Sequence, residues 1–195
     1  MPRLSIKEQR AKEIISAFER CIVRNGINGA QLEKIAAESG IQRPALRHFI
    51  GNREELIYEL TKSIASEYTQ MLKTAGKLLD QVGSSSDDLL LLLFMQSRLA
   101  TPERIIVFVN LYSISHRYPY VKKQLNNWYL HYVDWVAQQL GKFKPKASRY
   151  DLETTAIALV SLSFNFASLA PLELKDADAN HILAAGSRLI KALKG

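Results

Sequence analysis

A single cysteine, Cys21, stands in a chain of 195 residues. That excludes an internal disulfide framework and a thiolate metal cluster, and fits a reducing, cytoplasmic setting. The sequence also lacks an HExxH pairing, a GxSxG elbow, a GxxxxGK(S/T) phosphate loop and a GxGxxG turn. Metalloprotease, α/β-hydrolase, P-loop and dinucleotide chemistry therefore have no residues to work with. The expectation is a protein that is not an enzyme and needs neither metal nor cofactor. Asp176, Asp178 and His181 cluster near one another, but acids at a helix start are explained by the helix dipole without a cation. The opening MPRLSIKEQRAKE is charged throughout and has no apolar segment, so no signal peptide is expected. Residues 154–172 are uncharged, close to the length of a membrane span. They include Thr154, Thr155, Ser161, Ser163, Asn165, Ser168 and Pro171, a mixture that suits a helix buried in a core or between subunits, not one facing lipid. No run shows the period-two alternation of a strand.

What is present is helical periodicity and excess positive charge. The net charge is +7 with 47% hydrophobic residues, a globular composition. Residues 1–62 carry +3 and residues 63–195 carry +4, so the total does not locate a binding face. Local clusters are more informative: Arg3, Lys7, Arg10 and Lys12 near the start, then Arg43, Arg47 and Arg53 in a stretch free of acids from Ser39 to Arg53. Ile14, Phe18 and Ile22 mark the apolar face of a first helix that Asn25-Gly26 closes. Short helices are expected over 32–38 and from 42 or 43 to Gly51-Asn52, with Pro44 in the first turn of the latter. Longer ones follow: 54 to about 79, Asp87 as a cap through 99, Thr101-Pro102 through 117, 120–140 ended by Gly141, 151–170 and 178–193.

Residues 26–56, GINGAQLEKIAAESGIQRPALRHFIGNREEL, carry the chemistry. Two short helices meet at Ser39-Gly40-Ile41, with small Ala36 and Ala37 before the turn and Leu46 after it, which describes a helix-turn-helix over about 31–50. Its second helix presents Gln42, Arg43, Ala45, Arg47 and His48. Arginine can pair bidentately with guanine edges and glutamine can read adenine. Arg47 and Arg53 could instead contact phosphates, which position a protein without reading sequence. An ordinary helical hairpin with a solvated basic face remains the plain alternative.

The order of these features, from the apolar first helix through Gly26, Ile35-Ala36, Gly40-Ile41, Leu46, Phe49-Ile50, Arg53 and Glu55-Leu56, resembles the TetR family of transcriptional regulators over residues 7–62. The remainder matches that family in length and helical character. The resemblance implies an all-α fold: a three-helix DNA-binding domain over 1–52, then a larger helical ligand-binding and dimerisation domain over 53–195. It also implies a DNA contact set of Gln31, Gln42, Arg43, Pro44, Ala45, Arg47, His48 and Arg53. Gln31 stands where the family usually has threonine, and Arg47 where it often has tyrosine.

Eight of the seventeen aromatics fall within 108–135. Such stripes line cores and, less often, apolar ligand sites between helices. The ligand candidates are Phe94, Phe108, Tyr112, His116, Trp128, Tyr132, Phe164 and Asn165, with Met95 and Ser161 beside them. Leu159, Leu162, Ser163, Phe166, Ile182, Leu189 and Ile190 on the last two helices could pack within one subunit or form a twofold interface, and the resemblance favours the interface. The expected function is a sequence-specific, ligand-responsive repressor. It would bind double-stranded DNA as a homodimer on a palindromic operator and answer to a small apolar or aromatic effector, with no membrane involvement. The alternative is a helical protein-interaction module that does not read DNA sequence.

Overall fold

A computed structural model describes residues 5–81, 85–99, 101–169 and 177–194. Arg3 and Asp176 lie outside the described residues, as do the side chains of Met95 and Asp178. The elements are α1 (Ile6–Gly29), α2 (Leu32–Ser39), α3 (Arg43–Ile50), α4 (Arg53–Gln81), α5 (Ser86–Leu99), α6 (Pro102–Ile114), α7 (Pro119–Phe143), α8 (Arg149–Ser168) and α9 (Ala177–Ala192). The fold is all-α, and there is no strand among the described residues.

The chain divides into two compact units, Met1–Ser66 with Ile106–Leu125, and Glu67–Ile105 with Asn126–Gly195. In the first, α1 packs against both α2 and α3, which also touch each other. Ile14, Phe18 and Ile22 of α1, Ile35 of α2 and Leu46 of α3 are wholly buried. Local backbone chemistry sets the helix ends. Gly26 has φ +67° and ψ 166° and breaks α1 near its end, a conformation open in practice to glycine alone. Gly40 closes α2 at φ +66°, ψ 21°. Its N–H and that of Ile41 return to carbonyls of the last α2 turn, and the Ser39 hydroxyl donates to the Ile35 carbonyl at 2.8 Å.

Four helices begin with reciprocal caps, in which a short polar side chain accepts an amide three residues on and the acid there reaches back. Ser5 and Glu8 start α1, Asn52 and Glu55 start α4, and Ser85 and Asp88 start α5. Ser148 and Asp151 form the hydroxyl version at α8. The Glu8 and Asp88 carboxyls are held below their ordinary pKa by the backbone and hydroxyl donors of Ser5 and Ser85. Several boundaries therefore differ from the sequence expectation. The cap of α5 is Ser85 and not Asp87, and α8 starts at Arg149, not residue 151. α6 stops at Ile114, where the chain tightens into turns such as Arg117 N–H to Ile114 C=O at 2.9 Å ahead of Pro119. α7 passes straight through Gly141.

In the second unit α5, α8 and α9 pack on one another. Leu89, Leu93, Val136, Leu140, Ala156 and Leu159 form its dry centre. Gly186 lets α9 approach closely: a methyl there would sit 2.8 Å from a Leu90 Cδ.

Candidate nucleic-acid interface

α3 is one turn longer than its two anchors. Leu46 and Ile50, four residues apart, point into the first unit and are 0% and 7% exposed. Helical spacing then sends Arg43, Pro44, Arg47 and His48 outward, and all four are exposed, as is Gln42 at the N-cap, while Ala45 is half-buried. The His48 ring meets Phe49 edge-on at 5.4 Å between centroids. Neither Gln31 at the start of α2 nor Gln42 at the start of α3 makes a side-chain capping bond.

Arg53 is placed differently from its neighbours in the expected contact set. It is half-buried, and its guanidinium donates to the Ala30 carbonyl at 2.6 Å and to the Ile27 carbonyl. It therefore ties the start of α4 to the turn between α1 and α2. From the other side, the Asn110 carboxamide oxygen on α6 accepts the Ile27 N–H at 2.9 Å. The turn that carries α2 is thus pinned through both its carbonyls and its amide.

Two acids missing from the sequence reading lie on α2. Glu38 accepts from Arg20 at 2.6 Å and from Arg24, both on α1, and these bonds lower its carboxyl pKa. Glu33 stands 2.6 Å from Nη1 of Arg43 on α3. Along the sequence the 39–53 stretch has no acid; one, Glu33, arrives from the preceding helix. Burial raises the Cys21 thiol pKa, which suits a packed residue.

The ligand candidates divide between the units. In the first, Phe108 is buried, while Tyr112 is 67% exposed and His116 is exposed with Nδ1 3.0 Å from the Ser113 carbonyl. In the second, Phe94 is buried and meets Phe166 edge-on at 6.2 Å. Trp128 lies between Tyr68 at 5.1 Å and Tyr132 at 5.8 Å. Tyr132 is buried, and burial pushes its pKa up to about 12. Phe164 and Asn165 lie on an exposed face of α8. Tyr68 of α4, absent from the sequence-based ligand candidates, belongs with the aromatic group.

Of the residues expected at an interface, Leu159, Ser163 and Ile190 are 0%, 4% and 2% exposed, buried within the chain itself. Leu162, Phe166, Ile182 and Leu189 are partly buried against that core. The outward line of α8 runs instead through Tyr150, Thr154, Ile157, Ser161 and Phe164. Among the described residues no group of three or more histidine, cysteine, aspartate or glutamate side chains is gathered to hold a metal, and no helix is long and apolar enough to cross a membrane.

No family model matches the chain. The HTH-type transcriptional regulator PksA of Bacillus subtilis (strain 168) is 34% identical over 73 residues, covering 37% of this chain and 36% of that protein. The chain thus spans little more than a third of that relative's length. Among solved structures, a Mesorhizobium loti MAFF303099 protein described as a TetR-family transcriptional regulator superposes with a TM-score of 0.77 at 16% identity, covering 97% of this chain and 96% of its own. A TetR transcription regulator of Haloarcula marismortui ATCC 43049 gives 0.76 at 12% identity, covering 95% and 98%. The chain has the fold of the TetR-family transcriptional regulators.

Proposed function

We propose that the chain is a sequence-specific DNA-binding transcriptional regulator of the TetR family, acting as a homodimeric repressor. The observation that carries this reading is α3 itself: Leu46 and Ile50 hold it, while Gln42, Arg43, Arg47 and His48 are left facing solvent. Its eight residues fit a major groove about 12 Å wide. Two copies related by a twofold axis would read half-sites about 34–36 Å apart. Residues 1–52 supply the reading module and 53–195 the regulatory and dimerisation part. The outer face of α8 is the surface offered to a second copy.

The effector would be a small apolar or aromatic molecule meeting Trp128 and Tyr132 near Tyr68, with Phe94 and Phe166 beyond. α4 contributes residues to both units and is the element through which such a ligand would act. A coupling of about 1–3 kcal/mol would change operator affinity roughly 5- to 150-fold.

The test is equilibrium binding to a panel of duplexes selected from a random pool, across a salt series. The expected result is one palindromic motif bound at least ~1,000-fold more tightly than unrelated DNA. Changing Arg43 and Arg47 together to alanine should remove that preference. Retention of full binding by the double variant, or equal affinity for every duplex, would instead favour a surface that docks on protein.

A further inference from the structure

Between Gln31 and Asn52 the sequence has two acids, Glu33 and Glu38, and the structure assigns them opposite partners. Glu38 turns to α1, where Arg20 and Arg24 hold it. Glu33 turns to α3 and holds Arg43, the first residue of the proposed reading helix, at 2.6 Å. Both members of that pair are about half exposed, 49% for Arg43 and 56% for Glu33. An ion pair this open adds next to nothing to folding stability, so stability does not account for an acid on a surface otherwise fit for phosphates.

We infer that Glu33 is a specificity-determining residue of the DNA interface: it holds the Arg43 guanidinium for the edge of a G·C pair and keeps it off the phosphates. The inference rests on the reading of α3 as a DNA-recognition helix. An unrestrained arginine at this position has two classes of acceptor. Phosphate oxygens are numerous and carry no sequence information, whereas guanine O6 and N7 accept a bidentate pair in one plane. A carboxylate paired with Nη1 at 2.6 Å limits where the guanidinium can swing and leaves its remaining N–H groups for a base. The same negative charge repels phosphate oxygens, which weakens binding to any duplex that offers nothing else. In the groove Glu33 need not be left unpaired, because the N4 amino group of cytosine is a donor that a carboxylate accepts. Arg43 and Glu33 together therefore match a G·C step, with the donor fork and the acceptor side by side. Glu33 is a positioning residue for Arg43, and its effect is on discrimination more than on affinity.

The experiment uses the full chain with the substitutions Glu33→Gln, Glu33→Asp and Arg43→Ala, each first shown to retain the wild-type helical circular dichroism and urea midpoint. Duplexes bound from a random pool are sequenced, and affinities for the selected site, its single-pair variants and an unrelated duplex are measured against salt. The wild type should require G·C at one pair in each half-site, and Arg43→Ala should lose the requirement at that pair alone. Glu33→Gln should relax the same pair by about tenfold and bind the unrelated duplex several-fold more tightly. Its log–log salt slope should be steeper by about 0.9, the mark of one added phosphate contact. Glu33→Asp should restore most of the discrimination. If Arg43→Ala alters one pair while Glu33→Gln leaves it intact, or weakens all duplexes alike, the role given to Glu33 is overturned and the reading helix stands. If the wild type selects no motif at all, both fall.

Discussion

Arg53 shows how one side chain can be read in two ways from sequence and in one way from structure. A basic residue just after a recognition helix suits a phosphate, yet here the guanidinium donates to the carbonyls of Ile27 and Ala30, residues only 3% and 0% exposed. Charge-assisted hydrogen bonds of this kind are worth about 1.5–3 kcal/mol, and buried carbonyls left without donors add a penalty. Arg53→Ala should therefore lower unfolding free energy by about 2–4 kcal/mol. Arg53→Lys, a single point donor that cannot span both oxygens, should recover less than half of that. Urea melts of the three proteins decide the matter, and an unchanged midpoint for the alanine variant would return Arg53 to the phosphate-contact set. Gly26 belongs to the same turn. At φ +67° and ψ 166°, Gly26→Ala should cost about 1–3 kcal/mol in backbone strain, even though the nearest atom a methyl would meet, Asn110 Oδ1, is a comfortable 3.7 Å away.

At the level of helices, starts were more visible than ends. Ser5, Asn52, Ser85 and Ser148 each precede an acid by three residues, a signature open to sequence reading, and attention to it would have moved the starts of α5 and α8 to their observed places. Gly141 misled for a physical reason. A glycine inside a helix costs about 1 kcal/mol against alanine, but Leu140 before it is wholly buried and Phe143 after it packs on the second-unit core. Burial of that size outweighs the local preference and α7 runs on. α8 posed the harder problem, because apolar and small residues occupy every side of it and periodicity has no polar face to orient by. Which side meets α5 and α9, and which meets solvent, is settled by packing with residues far away in sequence. The helix-turn-helix was legible because its signals are local: Gly40 in the left-handed region, Pro44 in the first turn, Leu46 and Ile50 one turn apart. The ion pairs across it were not, since Glu33 and Arg43 are brought together only when α2 and α3 cross. The missing cap on α2 yields a prediction at this scale. Gln31 has the extended backbone of an N-cap, φ −78° and ψ 155°, but no capping bond. Gln31→Ser should supply one and raise stability by about 1 kcal/mol, read as a higher urea midpoint at unchanged slope; no gain would mean that the α2 amides are already satisfied.

Over the molecule as a whole, the buried Tyr132 and the half-buried Tyr68 and Tyr120 should set the alkaline limit of stability. Tyr68, Tyr120 and Tyr132 all have raised pKa values, chiefly because burial disfavours the phenolate. For Tyr132 the value is about 12 against an ordinary 10. Below pH 10 folded and unfolded chains both keep this proton and its contribution is complete. Between about pH 10 and 12 the unfolded chain releases it first, so stability drains away by up to roughly 3 kcal/mol. Tyr132→Phe should show a shallower decline above pH 10; an identical alkaline slope would remove Tyr132 as the cause. The proposed dimer turns on a different surface. With Leu159, Ser163 and Ile190 enclosed in the protomer, a partner is left the outer line of α8, where Tyr150 is 77% and Ile157 47% exposed. A charge at the middle of that line would have to be desolvated twice in a twofold contact, once from each copy, at several kcal/mol each. Ile157→Asp should therefore shift the protein from dimer to monomer in sedimentation velocity at micromolar concentration, while its own fold, facing solvent at that position, persists. Because two tethered reading helices gain affinity that one lacks, the variant should bind a palindrome at least ~100-fold more weakly than the wild type yet hold a single half-site equally well. A dimer that survives the substitution would place the contact on another face.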